Sequence, residues 1–268
     1  MPKLRTRDID VYYEITGEGE PLLLIHGLGS STQSWQMQVP VLSAYYRVIT
    51  FDLRGHGRSD KPLEPYNISM FAADTAELMK SLGISSAHVV GFSLGGMVGF
   101  QLCLDAPDMV KSLVVVNSPV TGYRQSLREG FQSWKHFTRV QLTGIGKERQ
   151  PNGQQLFPKQ DEYQWRQTLT ERFAINNMLA QANSFWAILK GNVTDDLSLI
   201  NCPTLVIASD EDYVPVSIKS AYVSRIPGAE IVVIPNSRHA VPTEQSERFN
   251  ALLLDFLSKH SYAATASV

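Results

Sequence analysis

Gly91-Phe92-Ser93-Leu94-Gly95 is the segment of this sequence best suited to chemistry. The apolar run His88-Val89-Val90 precedes it and a helix-period stretch, 94–104, follows it. A strand turning directly into a helix forces the central residue into a strained backbone conformation. Glycines two places to either side let the neighbouring backbones pack closely. The serine then stands at a strand end and over a helix N-terminus, where developing negative charge is favoured. That is the setting of a nucleophile, and a nucleophilic serine needs a base and a group that orients the base. Of the six histidines, His239 has the right position: it follows the late apolar run 231–234 through a short loop, just before the last helix. His88 opens a strand far from its tip, His260 ends the last helix, His136 falls in the irregular middle, and His26 reads as a loop-fixing hydrogen bonder. For the orienting carboxylate there are three consecutive acids, Asp210, Glu211 and Asp212, after the apolar run 204–207. Only one of them can hold the imidazole in its productive tautomer. The oxyanion of an attacked carbonyl needs donors: the backbone N–H of Leu94, directly after the serine, and that of Leu28, in the glycine-rich loop His26-Gly27-Leu28-Gly29.

These residues need a scaffold that brings distant loops to one edge. The runs 22–25, 47–51, 88–90, 113–116, 204–207 and 231–234 are continuously apolar, the pattern of strands covered on both faces. Helix-period segments at 69–81, 94–104, 216–226 and 247–259 alternate with them, which predicts an α/β fold with a mostly parallel sheet and helices on both sides. The stretch 8–14 alternates and ends in Gly17-Glu18-Gly19, so it reads as an antiparallel edge hairpin. The alternation fails between Pro119 and Leu189, where Trp134, Trp165 and Trp186 fall, with a helical period from Ile175 to Leu189. The reading is a core of residues 1–118 and 191–268 with a helical cap inserted at 119–190. That cap holds ten Lys and Arg against five Asp and Glu. The excess reads either as scattered solvated charge or as a preference for substrates bearing a carboxylate.

With 24 Lys and Arg against 26 Asp and Glu, the chain is not a dedicated nucleic-acid binder. No apolar run approaches the roughly 18 residues needed to span a membrane, and the first residues do not form a signal peptide, so no integral membrane association is expected. Cys103 and Cys202 offer neither a disulfide framework nor metal-ligand spacing, and read as buried free thiols of a reducing compartment. Neither a ligand cluster nor a phosphate-binding glycine loop points to a metal or an organic cofactor. The expectation is a soluble cytoplasmic protein whose partner is a small-molecule ester or lactone.

Along nearly its whole length the chain resembles the α/β-hydrolase superfamily. His26-Gly27-Leu28-Gly29 is similar to that family's oxyanion loop, and Gly91-Phe92-Ser93-Leu94-Gly95-Gly96 to its nucleophile elbow. The run from Asp52 through Arg54, Gly55, Gly57 and Ser59 to Pro62 resembles its D-x-R-G-x-G-x-S-x-x-P loop, and Arg238-His239 with Glu244 resembles its histidine segment. The family's acid usually sits in G-x-x-D-x-x-x-P. Here Ser209 replaces the glycine and the loop is one residue short, so counting back from Pro215 gives Glu211 while counting forward from Pro203 gives Asp212. The strand is the rigid ruler, which favours Asp212, with Asp210 second. The resemblance implies the α/β-hydrolase fold and a Ser93–His239–Asp212 triad acting on carboxylic esters. It also admits an enol-lactonase or C–C bond hydrolase for a carboxylate-bearing ring-cleavage product, a cofactor-free haloperoxidase or perhydrolase, and a ligand receptor on a hydrolase scaffold. Epoxide hydrolases and dehalogenases of this family use aspartate where Ser93 stands.

Overall fold

The computed structural model describes residues 2–122 and 177–261. Their strands, β1 (Lys3–Thr6), β2 (Ile9–Thr16), β3 (Glu20–Ile25), β4 (Tyr46–Phe51), β5 (Ala87–Phe92), β6 (Val110–Val116), β7 (Thr204–Ser209) and β8 (Glu230–Ile234), form one sheet in the order β1-β2-β4-β3-β5-β6-β7-β8. From β4 to β8 all neighbours are parallel, and β1 and β2 add an antiparallel edge. The longer helices among these residues are α1 (Ile68–Ser81), α2 (Leu94–Asp105), α3 (Met178–Lys190), α4 (Val216–Val223) and α5 (Ser246–His260). None of them is long and apolar enough to cross a membrane.

The continuous apolar runs have the expected physical cause. Leu23, Ile25, Ile49, Val89, Leu113, Val115 and Val206 bury toward the side that holds Phe71 and Leu78 of α1 and Met97 and Phe100 of α2. The alternate residues Leu22, Leu24, Val48, Val90, Val114, Leu205 and Ile207 pack on the other side with Phe249, Leu253, Phe256 and Leu257 of α5. Each buried side chain of this kind contributes about 1.5–3 kcal/mol, so a strand with both faces covered must be apolar at every position.

The edge hairpin differs from the sequence reading. Its turn lies at Arg7 and Asp8, joining β1 to β2, and Arg7 takes a positive φ of 41°. Gly17-Glu18-Gly19 instead redirects the chain from β2 into β3, and β2 pairs with β4. The turn chemistry at Gly17 and Gly19 (φ 81° and 104°) was legible, but strand partnership depends on where β4 returns. The cysteines are free thiols, as the sequence reading expects, with Cys103 buried and Cys202 half-buried. Cys103 of α2 and Cys202, just before β7, bring their Sγ atoms within 3.7 Å of each other.

Most of the expected cap, including Trp134, Trp165, His136 and every basic residue of 119–190 except Lys190, lies outside the described residues. The two ends of the insertion are pinned together. Thr121 and Asn192 form an antiparallel bridge, Gly122 N–H donates to Gly191 O (2.7 Å) and Val193 N–H to Val120 O (2.9 Å). The returning helix α3 is capped by Asn177 Oδ1, which accepts from Leu179 and Ala180 N–H, and Asn183 Nδ2 donates to the carbonyls of Leu63 and Glu64. Trp186 on this helix remains 42% exposed.

Candidate active site

The sheet order sets where a site can form. From β3 the chain moves outward to β4 and then crosses back to β5 on the other flank of β3. The reversal opens a crevice at the carboxyl ends of β3 and β5, the position where open α/β sheets bind ligands. The loop at His26–Gly29 leaves β3 there, and Ser93 leaves β5 there.

Ser93 adopts φ 55° and ψ −114°, outside the regions that L-residues favour. The surroundings hold it in place: Ser93 N–H donates to Val116 O (2.9 Å), and its carbonyl accepts from Gly96 N–H (2.9 Å) and Ser118 Oγ–H (2.7 Å). Backbone strain maintained in this way is typical of functional sites. The glycines of the motif are required by space. A Cβ on Gly91 would lie 2.2 Å from Gly95 O, and a Cβ on Gly95 would lie 2.2 Å from Ile25 O. Ser93 occupies the N-cap position of α2, but its side chain makes no capping hydrogen bond, so the hydroxyl is not tied to its own helix. Leu94 N–H is the first of the helix N–H groups that no intrahelical carbonyl can reach.

The β3 loop approaches this elbow closely. A Cβ on Gly27 would stand 3.2 Å from Ser93 Cβ and 3.1 Å from the Phe92 ring. His26 fixes the loop from below: its Nδ1–H donates to Gly27 O (2.8 Å), and Nε2 accepts from Leu53 N–H (3.0 Å). Leu28 follows, half-buried against the core. The Asp52–Pro62 loop braces the same region. Asp52 accepts from Thr32 N–H and Arg58 N–H, both at 2.7 Å, and the buried Arg54 guanidinium grips Asp74 through two hydrogen bonds (2.6 and 2.9 Å).

The three candidate acids have three different environments. Asp210 accepts from the N–H groups of Asn236 (3.0 Å) and Ser237 (3.1 Å), bonds that hold its carboxyl below the ordinary range. Glu211 is exposed and lies 3.8 Å from Arg238. Asp212 is buried, with Oδ1 2.8 Å from His239 Nδ1. Burial alone would raise its pKa, but the hydrogen bond and charge of His239, together with Lys219, outweigh that and bring it below the usual carboxylate value. An ionised carboxylate only accepts, so Nδ1 carries the ring proton and Nε2 is left as an acceptor. Phe92, next to Ser93, packs its ring 5.0 Å from the His239 ring. The histidine loop is clamped by Glu244, which accepts from Arg238 N–H (2.7 Å) and pairs with its guanidinium (2.6 Å).

Three residues at this site had no signal in sequence reasoning. The Tyr213 hydroxyl donates to His239 Nε2 at 2.6 Å. Lys219 of α4 is fully buried with Nζ 2.5 Å from Asp212 Oδ2. Asn117, at φ 46° just past β6, receives Lys219 Nζ on Oδ1 and donates to His239 O (2.9 Å). A tyrosine beside an acid, a lysine on a helix and an asparagine after a strand are ordinary in sequence, and only their spatial convergence distinguishes them.

The comparisons with known proteins agree with this architecture. Residues 20–244 match the family model described as the alpha/beta hydrolase fold. The RutD protein of Azorhizobium caulinodans, which carries the name of a carbamate hydrolase, is 32% identical over 96% of this chain and 98% of its own. A Synechocystis protein named as a non-heme chloroperoxidase is 32% identical over 93% of this chain and 95% of its own. Among solved structures, Est816, described as an N-acyl homoserine lactone degrading enzyme, superposes with a TM-score of 0.80 at 30% identity, covering 95% of this chain and all of its own. The chain belongs to the alpha/beta hydrolase fold family.

Proposed function

We propose that this hydrolase cleaves carboxylic esters of small to medium size through an acyl-enzyme on Ser93. The observation that carries the reading is the 2.8 Å contact between buried Asp212 and His239 Nδ1, beside a serine held at φ 55° on a strand–helix elbow. Ser93 Oγ attacks the ester carbonyl as His239 Nε2 takes its proton. Asp212 holds the imidazole in the required tautomer and stabilises the imidazolium. The N–H groups of Leu28 and Leu94 receive the oxyanion, and the imidazolium then protonates the departing alcohol. In the second half His239 activates water, which releases the acid and restores Ser93. The insertion 119–190 is read as the cap of this hydrolase, and its two ends are paired at Thr121 and Asn192.

The test is hydrolysis of p-nitrophenyl acetate, butyrate and octanoate by the wild type and by Ser93→Ala. Repeated turnover by the wild type alone is expected, with the chain-length trend sizing the pocket. Activity retained in Ser93→Ala overturns the acyl-enzyme. A second reading, lactone opening, is favoured by the likeness to Est816 at 30% identity. It uses the same groups on a cyclic ester, and a pH-stat assay with N-acyl homoserine lactones separates it from the first. Carbamates belong in the same panel because of the name RutD carries.

A further inference from the structure

Lys219 is a buried charged group that ester hydrolysis by Ser93, His239 and Asp212 leaves without a task. Its side chain is fully enclosed, and its ammonium has two oxygen partners, Asp212 Oδ2 at 2.5 Å and Asn117 Oδ1 at 2.8 Å. Asp212 therefore divides its two oxygens, Oδ1 to the imidazole and Oδ2 to the ammonium. Asn117 joins the rest of the site: its Nδ2 donates to Ser209 Oγ (2.8 Å), Arg238 O (3.2 Å) and His239 O (2.9 Å), and its Oδ1 also accepts from Ser209 N–H (2.9 Å). One side chain thus ties the ends of β6 and β7, the histidine loop and Lys219 together.

Resting on the Ser93–His239–Asp212 reading, we propose that Lys219 is a positioning residue. Its ammonium, seated on Asn117, fixes the Asp212 carboxylate, and its charge keeps His239 available as a base to lower pH than Asp212 alone would allow. The reasoning is electrostatic. A lone buried carboxylate attracts the imidazolium proton strongly and holds the histidine in its protonated, inactive form. A cation on the far oxygen offsets part of that attraction, and in a site shielded from water the offset is little screened. Burial lowers the pKa of Lys219, opposed by the charge and hydrogen bond of Asp212. The other polar groups around the pair are accounted for. Tyr222, also on α4, donates its hydroxyl to Ser118 O (3.1 Å), and burial raises its pKa far above the ordinary tyrosine value. Tyr213 faces Nε2 of the histidine, Arg238 is paired with Glu244 and lies near Glu211, and Asp210 is bonded to the Asn236–Ser237 backbone.

The experiment measures kcat/KM for p-nitrophenyl butyrate from pH 5 to 9 in the wild type, Lys219→Met and Lys219→Gln, with circular dichroism to establish folding. The two neutral variants differ in polarity, so one reports if the other fails to fold. Loss of the charge moves the acidic limb of the profile to higher pH by about one unit. A limb at its wild-type pH in either folded neutral variant overturns the proposal. Wild-type-like turnover by Asp212→Asn would instead overturn the triad reading, so the two failures are distinguishable.

Discussion

The hydroxyl of Tyr213 sits 2.6 Å from Nε2 of His239, the nitrogen that takes the Ser93 proton in the proposed reaction, and the two rings lie 4.1 Å apart between centroids. In this arrangement the proposed base is engaged by a tyrosine rather than by the proposed nucleophile. Tyr213 is 62% exposed. A neutral hydrogen bond is worth about 1 kcal/mol net, roughly a fivefold factor. Tyr213→Phe is therefore expected to raise kcat/KM for p-nitrophenyl acetate by about fivefold. A fall in kcat/KM would show that the hydroxyl assists turnover instead of competing with it.

The three neighbouring acids should separate cleanly by kinetics. Asp212→Asn removes the partner that sets the His239 tautomer, and a loss in kcat of about 10⁴-fold is expected. Asp210→Asn weakens the acceptor for the Asn236 and Ser237 N–H groups, so it lowers the melting temperature slightly and leaves kcat within about threefold of wild type. Steady-state kinetics and thermal melts on the two variants make the comparison. Equal losses in kcat would be incompatible with the environments of these carboxylates.

Gly27 tests the proposed oxyanion loop without replacing a catalytic side chain. An added methyl would meet the Phe92 ring at 3.1 Å and Ser93 Cβ at 3.2 Å, and so push the Leu28 N–H away from the elbow. Gly27→Ala should reduce kcat by roughly 10- to 100-fold, approaching the loss of one oxyanion donor. KM and the melting temperature should change little. A variant with unchanged kcat would remove Leu28 from the oxyanion hole.

His26 and His56 predict an acid sensitivity of the fold. Both are fully buried; burial brings His26 down to about 4, and burial followed by the charge of His26 brings His56 down to about 3. In the unfolded chain each titrates near the ordinary value of 6.5. Below that pH the unfolded state binds protons that the folded state refuses, so stability falls as pH falls. Between pH 6.5 and 5 the two should cost about 3 kcal/mol together. Asp52, held above the usual carboxylate range mainly by burial, acts in the opposite sense as pH falls. Urea unfolding across this window should show the loss, and it should be about half as steep in a folded His56→Gln variant. A flat profile would mean that these histidines titrate normally in the folded protein.

The continuous apolar strands, the helices between them and the glycine-flanked serine could be read from residue order because their causes are local. A parallel strand covered on both faces must be apolar throughout, and an elbow admits only small residues beside it. His239 was legible for a related reason, since a loop after a late strand of such a sheet ends at the same edge as Ser93. The edge hairpin was misread because strand partnership is not a local property, and the proximity of Cys103 to Cys202 was invisible for the same reason.

The sequence by itself therefore determined the parallel sheet and the edge at which the candidate chemistry gathers. Only the tertiary structure decided which of three consecutive acids meets the imidazole. It did so because Asp210 is turned toward the Asn236–Ser237 backbone while Asp212 is directed inward between His239 and Lys219. Asn117, Lys219 and His239 are separated by as many as 122 positions, and Tyr213 reaches His239 across 26. Hydrogen bonds between groups so distant in sequence follow from the packing of β6, β7, α4 and the histidine loop, and no periodicity or spacing along the chain encodes them.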